Sequence, residues 1–117
     1  IALISPTSPG YSIVSSNVFP VLVSFNSVEA LGTGSRASIN IGNISSATLQ
    51  GATLKMTAIS TKRDENNLAI TKEIEHKYLE RIPAGSWAIA QVPIEGIKPD
   101  ELQSLIVAIE LDVLLLR

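Results

Sequence analysis

Leu105-Ile106-Val107-Ala108-Ile109-Glu110-Leu111-Asp112-Val113-Leu114-Leu115 is the most strongly patterned run of the sequence. In an extended chain Leu105, Val107, Ile109, Leu111, Val113 and Leu115 share one side, while Glu110 and Asp112 share the other. A slip of one residue would bury the two carboxylates, so the register of this strand is firm. The pattern is that of a strand with a core on one side.

The same alternation recurs upstream. Val21, Val23 and Phe25 alternate with Leu22, Ser24 and Asn26; Ala37, Ile39 and Ile41 alternate with Ser38, Asn40 and Gly42; Leu54, Met56 and Ala58 alternate with Lys55 and Thr57. Arg63-Asp64-Glu65-Asn66-Asn67 is a polar reversal, which pairs strands near 52–60 and 69–81 as a hairpin. Within 69–81, Ile70, Ile74, His76 and Tyr78 suit one strand face, but Lys72-Glu73-Ile74-Glu75-His76-Lys77 also fits a helical turn. After the turn Pro83-Ala84-Gly85-Ser86, the spacing of Trp87, Ile89 and Val92 predicts a bulged strand with Trp87 in the core. Pro93 puts the far end of that strand at an edge or exit position. Pro99-Asp100-Glu101 predicts one short helical turn near 98–103, with Leu102 aimed at the core.

The expected fold class is therefore all-β: an antiparallel, immunoglobulin-like β-sandwich of about seven strands, with a small barrel as the alternative. Residues 1–18 read as an extended leader packed on a single domain, 19–117, because Ser5-Pro6-Thr7-Ser8-Pro9-Gly10 punctuates the start.

Composition bounds function. Of 117 residues, 30 are Ile, Val or Thr, which suits a β-rich core. Net charge is −2, so no basic field recommends nucleic acid. With no Cys and one His, disulfides, thiolate sites and most metal or triad chemistry drop out. No apolar run reaches the roughly 20 residues of a membrane-spanning helix. Charge is uneven: residues 1–28 carry none, whereas 55–81 hold eleven of the twenty charged side chains.

No motif builds a reaction centre, so no catalytic, cofactor-binding or metal residue is expected. Gly32-Thr33-Gly34-Ser35-Arg36-Ala37 formally fits a dinucleotide fingerprint, but a strand follows it where a helix is required; it reads as a hairpin turn. His76 would need a serine and a carboxylate such as Asp100 or Asp112 beside it; it reads as a packed strand histidine. Asp64-Glu65-Asn66-Asn67 offers oxygen ligands for calcium without the spacing of a calcium loop, and reads as a solvated tip. Glu110 and Asp112 read as strand charges answered by Lys55, Lys72 or Lys77 rather than as a glycosidase pair. Asn43-Ile44-Ser45 matches a glycosylation sequon, which matters only in a eukaryotic secreted protein. Leu114 and Leu116 point away from Leu115, so the last strand offers a candidate partner-contact edge comprising Leu114, Leu116, Glu110 and Asp112.

Several segments in order carry a resemblance. Ser5-Pro6-Thr7-Ser8-Pro9-Gly10-Tyr11 precedes Phe19-Pro20-Val21-Leu22-Val23-Ser24-Phe25. Then come Gly34-Ser35-Arg36-Ala37-Ser38-Ile39-Asn40-Ile41-Gly42-Asn43 and Ser45-Ser46-Ala47-Thr48-Leu49-Gln50-Gly51, followed by Leu54 with Met56. Ile82-Pro83-Ala84-Gly85-Ser86-Trp87 and Lys98-Pro99-Asp100-Glu101-Leu102 close the series. Together they resemble the YajI-like domain of unknown function found in bacterial envelope lipoproteins. The resemblance implies a lipid-anchored parent on the periplasmic side of the bacterial envelope. Its signal peptide and lipidated Cys would lie upstream of Ile1, and that removed anchor would be its membrane contact. It implies no enzyme activity and assigns no functional residue.

The expected function is a non-enzymatic envelope module, structural or protein-binding, that meets an unknown partner or a second copy through a strand edge. The alternative is a small-ligand or carbohydrate-binding domain, with or without calcium, in which Tyr78 and Trp87 would lie exposed side by side.

Overall fold

The computed structural model describes residues 1–8 and 10–113. Along the chain these form β1 (Ala2–Ile4), β2 (Tyr11–Val14), β3 (Val21–Leu31), β4 (Gly34–Gly42), β5 (Leu49–Arg63), β6 (Ala69–Tyr78), β7 (Trp87–Ile94) and β8 (Leu102–Val113). A 3-10 turn, Pro99–Glu101, leads into β8 and delivers Leu102 to the core, as its sequence predicts. The strands make two antiparallel four-stranded sheets, ordered β1-β8-β5-β6 and β2-β3-β4-β7. The all-β sandwich is thus formed, with eight strands where about seven were expected. Within 69–81 the chain is strand as far as Tyr78.

Alternation places the core. Val21 and Val23 of β3, Ala37, Ile39 and Ile41 of β4, Leu54, Met56 and Ala58 of β5, and Leu105, Val107, Ile109 and Leu111 of β8 are all buried between the layers. The side chain of Val113 and all of Leu115 lie outside the described residues. Met56 faces Val107 and Leu54 faces Ile109 across the central β5–β8 pair. Alanines at Ala52 on β5 and at Ala88 and Ala90 on β7 join the larger side chains in the same core. The outermost strand β6 is less covered, and its inward Ile74, His76 and Tyr78 are half-buried.

Residues 1–18 supply one strand to each sheet: β1 pairs with β8, and β2 with β3. Their lack of charge fits two edge strands whose buried residues, Ala2, Ile4 and Val14, enter the common core.

One expectation is corrected. Trp87 and Ile89 are exposed, whereas Ala88, Ala90, Val92 and Ile94 point inward. The β4–β7 register runs without interruption, so β7 has no bulge. Both faces of Trp87-Ala88-Ile89-Ala90 are apolar, so hydrophobicity does not choose between them. Val92 and Ile94 fix the register, and every second residue before them follows. Register shifts lie instead between Phe25 and Ser27, between Leu49 and Gly51, and between Ile59 and Ser60.

Two asparagines fasten the frame. The Asn17 carboxamide pairs with the backbone of Leu111, accepting from its N–H at 2.8 Å and donating to its carbonyl at 3.3 Å. It serves as one residue of a missing neighbour strand where β1 no longer flanks β8. Asn43, 1% exposed, ties three loops. Its Nδ2 donates to the carbonyls of Ala47, Ile82 and Pro83 at 2.8, 3.0 and 3.2 Å, and its Oδ1 accepts from the backbone and hydroxyl of Ser45. Burial rules Asn43 out as a surface acceptor of sugar in the folded chain.

Asn43→Ala should lower the unfolding free energy by about 2 kcal/mol, read from urea midpoints, because several buried hydrogen bonds are lost together. Asn43→Asp should cost more at neutral pH, since it sets a buried carboxylate against carbonyl oxygens.

Candidate functional site

The two outward faces of the sandwich differ in kind. On the β8 sheet the outer face carries Lys55, Glu73, Glu75, Lys77, Glu110 and Asp112. Lys55 Nζ donates to Glu110 at 2.8 Å. That hydrogen bond, then the carboxylate's charge, holds the Lys55 ammonium above its ordinary pKa. Of the three lysines considered from the sequence, Lys55 is the one that answers Glu110. An open trough of about 570 Å³ runs across this face, lined in part by Lys55, Thr57, Glu73, Glu75, Ile106 and Ala108. It is lined by Ile1 as well and holds no aromatic side chain.

The outer face of the β4 sheet is built differently. Cross-strand neighbours Ile13, Leu22, Gly42 and Trp87 form one row over all four strands. Tyr11, Ser24, Asn40 and Ile89 form the next row. Gly42 gives Trp87 its seat: a Cβ there would stand 2.8 Å from two carbons of the indole. The indole therefore lies over the sheet and meets the Tyr11 ring at 6.2 Å between centroids, tilted by 60°. Tilted aromatic pairs at this distance attract. Exposure stays high even so, at 64% for Tyr11 and Ile13, 50% for Trp87 and 51% for Ile89. Beyond these rows the face turns polar without charge. Asn40 donates to Ser24 Oγ at 2.9 Å and accepts from Asn26 at 3.0 Å. The charged groups of this face among the described residues are Glu29 and Arg36, which bond each other near the β3–β4 turn.

The residues singled out in the sequence are dispersed. Gly32 and Thr33 make the two-residue β3–β4 turn, Gly32 with a φ of 58°, and strand β4 follows directly. The Asp64 carboxylate is engaged within its own turn, accepting from the backbone of Asn66 at 2.9 Å and Leu68 at 3.0 Å. Among the described residues no three His, Cys, Asp or Glu converge as a metal site. His76 faces inward on β6, paired across the strand with Leu54; Asp112 lies on the outer face of β8 and Asp100 in the 3-10 turn. Burial lowers the His76 pKa from its ordinary 6.5. Tyr78 and Trp87, the pair a ligand platform would need, lie on different sheets, and Tyr78 donates its hydroxyl hydrogen to Glu80 at 3.1 Å. Of the candidate contact edge, Glu110 and Asp112 are exposed on β8, and Leu114 and Leu116 lie outside the described residues. Sequence reading missed the row over the β4 sheet. Its signal was present in the absence of charge from residues 1–28 and from 82–94.

No protein-family model matches the chain, and no curated protein matches it in sequence. Solved structures do match. The trimeric lipoprotein SadB of Salmonella enterica superposes with a TM-score of 0.74, covering 92% of this chain at 17% identity. The uncharacterised lipoprotein YajI of Escherichia coli, solved in solution, superposes with a TM-score of 0.63, covering 99% of this chain at 18% identity. The chain has the YajI fold. The resemblance read from the sequence is thereby met in three dimensions. This chain spans 57% of the SadB chain and 70% of the YajI chain.

Two measurements probe these surfaces. Gly42→Ala should lift the indole from its seat and raise the acrylamide quenching of Trp87, the single Trp of the chain. His76 resists protonation in the fold, so the unfolded chain binds protons first as pH falls. Its contribution to stability is present above about pH 6.5 and is lost progressively below that value. Urea midpoints at pH 7.5 and pH 5 should therefore differ more for the parent than for His76→Leu.

Proposed function

We propose that this chain is the β-sandwich domain of a bacterial envelope lipoprotein and acts there, on the periplasmic side, as a non-enzymatic structural or protein-interaction module that assembles with copies of itself. The observation that carries this reading is the contrast between the two outer faces: one is furnished with charge for water, and the other keeps an aromatic and aliphatic row uncovered. The largest apolar patch of a domain is often its functional surface. The fold shared with SadB and YajI, both lipoproteins, supports the envelope setting, and SadB's trimeric state supports assembly with like copies. The edge named from the sequence, Glu110, Asp112, Leu114 and Leu116, is the competing place for such a contact. The ligand-binding alternative has less support, because its aromatic pair lies on separate sheets.

Two results are expected. The full-length precursor, expressed in a bacterium with an alkynyl fatty acid, should take up label and fractionate with the envelope; an unlabelled protein in the soluble fraction would remove the lipoprotein reading. The purified domain should sediment at a multiple of its 12.5 kDa chain mass.

A further inference from the structure

We infer that the outer face of the β4 sheet is the surface on which a second copy of this chain seats, with Tyr11, Ile13, Trp87 and Ile89 at the centre of the contact. This rests on the self-assembly reading above and names the face that serves it.

Size fits the assignment. Tyr11, Ile13, Trp87 and Ile89 are each exposed by half or more, at on the order of 100 Å² apiece. They make an apolar patch of roughly 400 Å², the scale of the largest patch on a typical single chain, which is often a functional surface. The surrounding four-stranded face measures roughly 19 by 27 Å. That plane of roughly 500 Å² is about two thirds of the ~800 Å² each partner gives to a standard interface, the size of a small contact. Apolar rows at the centre and neutral Ser24, Asn26, Ser38, Asn40 and Gln91 around them follow the core-and-rim plan of such contacts.

Charge selects the occupant. The face holds no free cation among its described residues, because Arg36 is bonded to Glu29. An anionic lipid surface would call for basic side chains at the rim. A charged partner surface would be left without complementary charge on this face. A second neutral face needs none. Two chains, each of net charge −2, also avoid repulsion best by meeting where neither carries charge and keeping their charged β8-sheet faces in water. Strand β7 adds continuity at the side. It is an edge strand with no charged residue from Trp87 to Ile94, whereas the other long edge, β6, is guarded by Lys72, Glu73, Glu75 and Lys77.

Trp87 reports on its own burial. Sedimentation equilibrium and Trp emission are followed over one dilution series of the parent, and of Ile13→Ser/Ile89→Ser, which retains the indole. In the parent, mass should rise and emission shift to the blue along one curve. The double variant should need at least about tenfold more protein to reach the same mass, as loss of central apolar contacts implies. Leu3→Ser, on the β8-sheet face, should follow the parent. Assembly without an emission shift, or a double variant that assembles like the parent, overturns this face and leaves self-assembly standing. A parent that remains one chain at the highest concentration overturns self-assembly itself. A blue shift obtained only on phosphatidylcholine vesicles, at single-chain mass, replaces the second copy with a lipid surface and overturns the proposal. Circular dichroism checks folding; should the double variant unfold, the parent's paired mass and emission curves decide.

Discussion

The pairing of β5 with β8 is the constraint on which the molecule depends. Both strands alternate through their middle, Ala52–Ala58 and Leu105–Leu111, where Leu54 meets Ile109 and Met56 meets Val107 inside, while Lys55 reaches diagonally to Glu110 outside. A shift of one residue on either strand would exchange those sets, sending charge into the core and apolar side chains into water. The central pair has one workable solution, and the neighbouring strands dock on it. The cross-layer partner, β4, obeys the same rule with Ile39 and Ile41 inside and Ser38 and Asn40 outside.

Legibility in the sequence followed from that asymmetry. Strands β3, β4, β5 and β8 could be read because polar residues mark their outward sides. The β5–β6 hairpin could be read from its polar tip, and the 3-10 turn from Pro99 with its two acids. Strand β7 could be located but not oriented, because Trp87-Ala88-Ile89-Ala90 is apolar on both sides. The missing charge in residues 1–18 was visible, but it marked two strands divided between sheets as well as a segment lying on the domain. The bonds of Asn17 to Leu111 and of Asn43 to Ile82 span 94 and 39 residues, and no local pattern announces them. The uncovered row on the β4 sheet combines residues from four strands, so it exists only once the topology is known.

The two outer faces give the fold a polarity. Nearly all polar craft inside the domain is structural: Asn43 knits loops, Asn17 completes a strand, Asp64 closes a turn. The aromatic surface left exposed by Tyr11 and Trp87 lies on one side. A contact that covers that side would leave a particle with charge facing outward, as a stable assembly in water requires.

The division of the first strands between layers also has a mechanical side. The chain enters through β1 on one sheet and crosses, between Ile4 and Tyr11, to β2 on the other. Tension applied at Ile1 meets the short ladder to β8 first, and then the ladder to β3 in the opposite layer. The two ladders thus take the load in turn before it reaches the central β5–β8 pair. For a domain held by a tether, that arrangement works as a strain relief, in which the first few residues can peel away while the sandwich behind them stays closed.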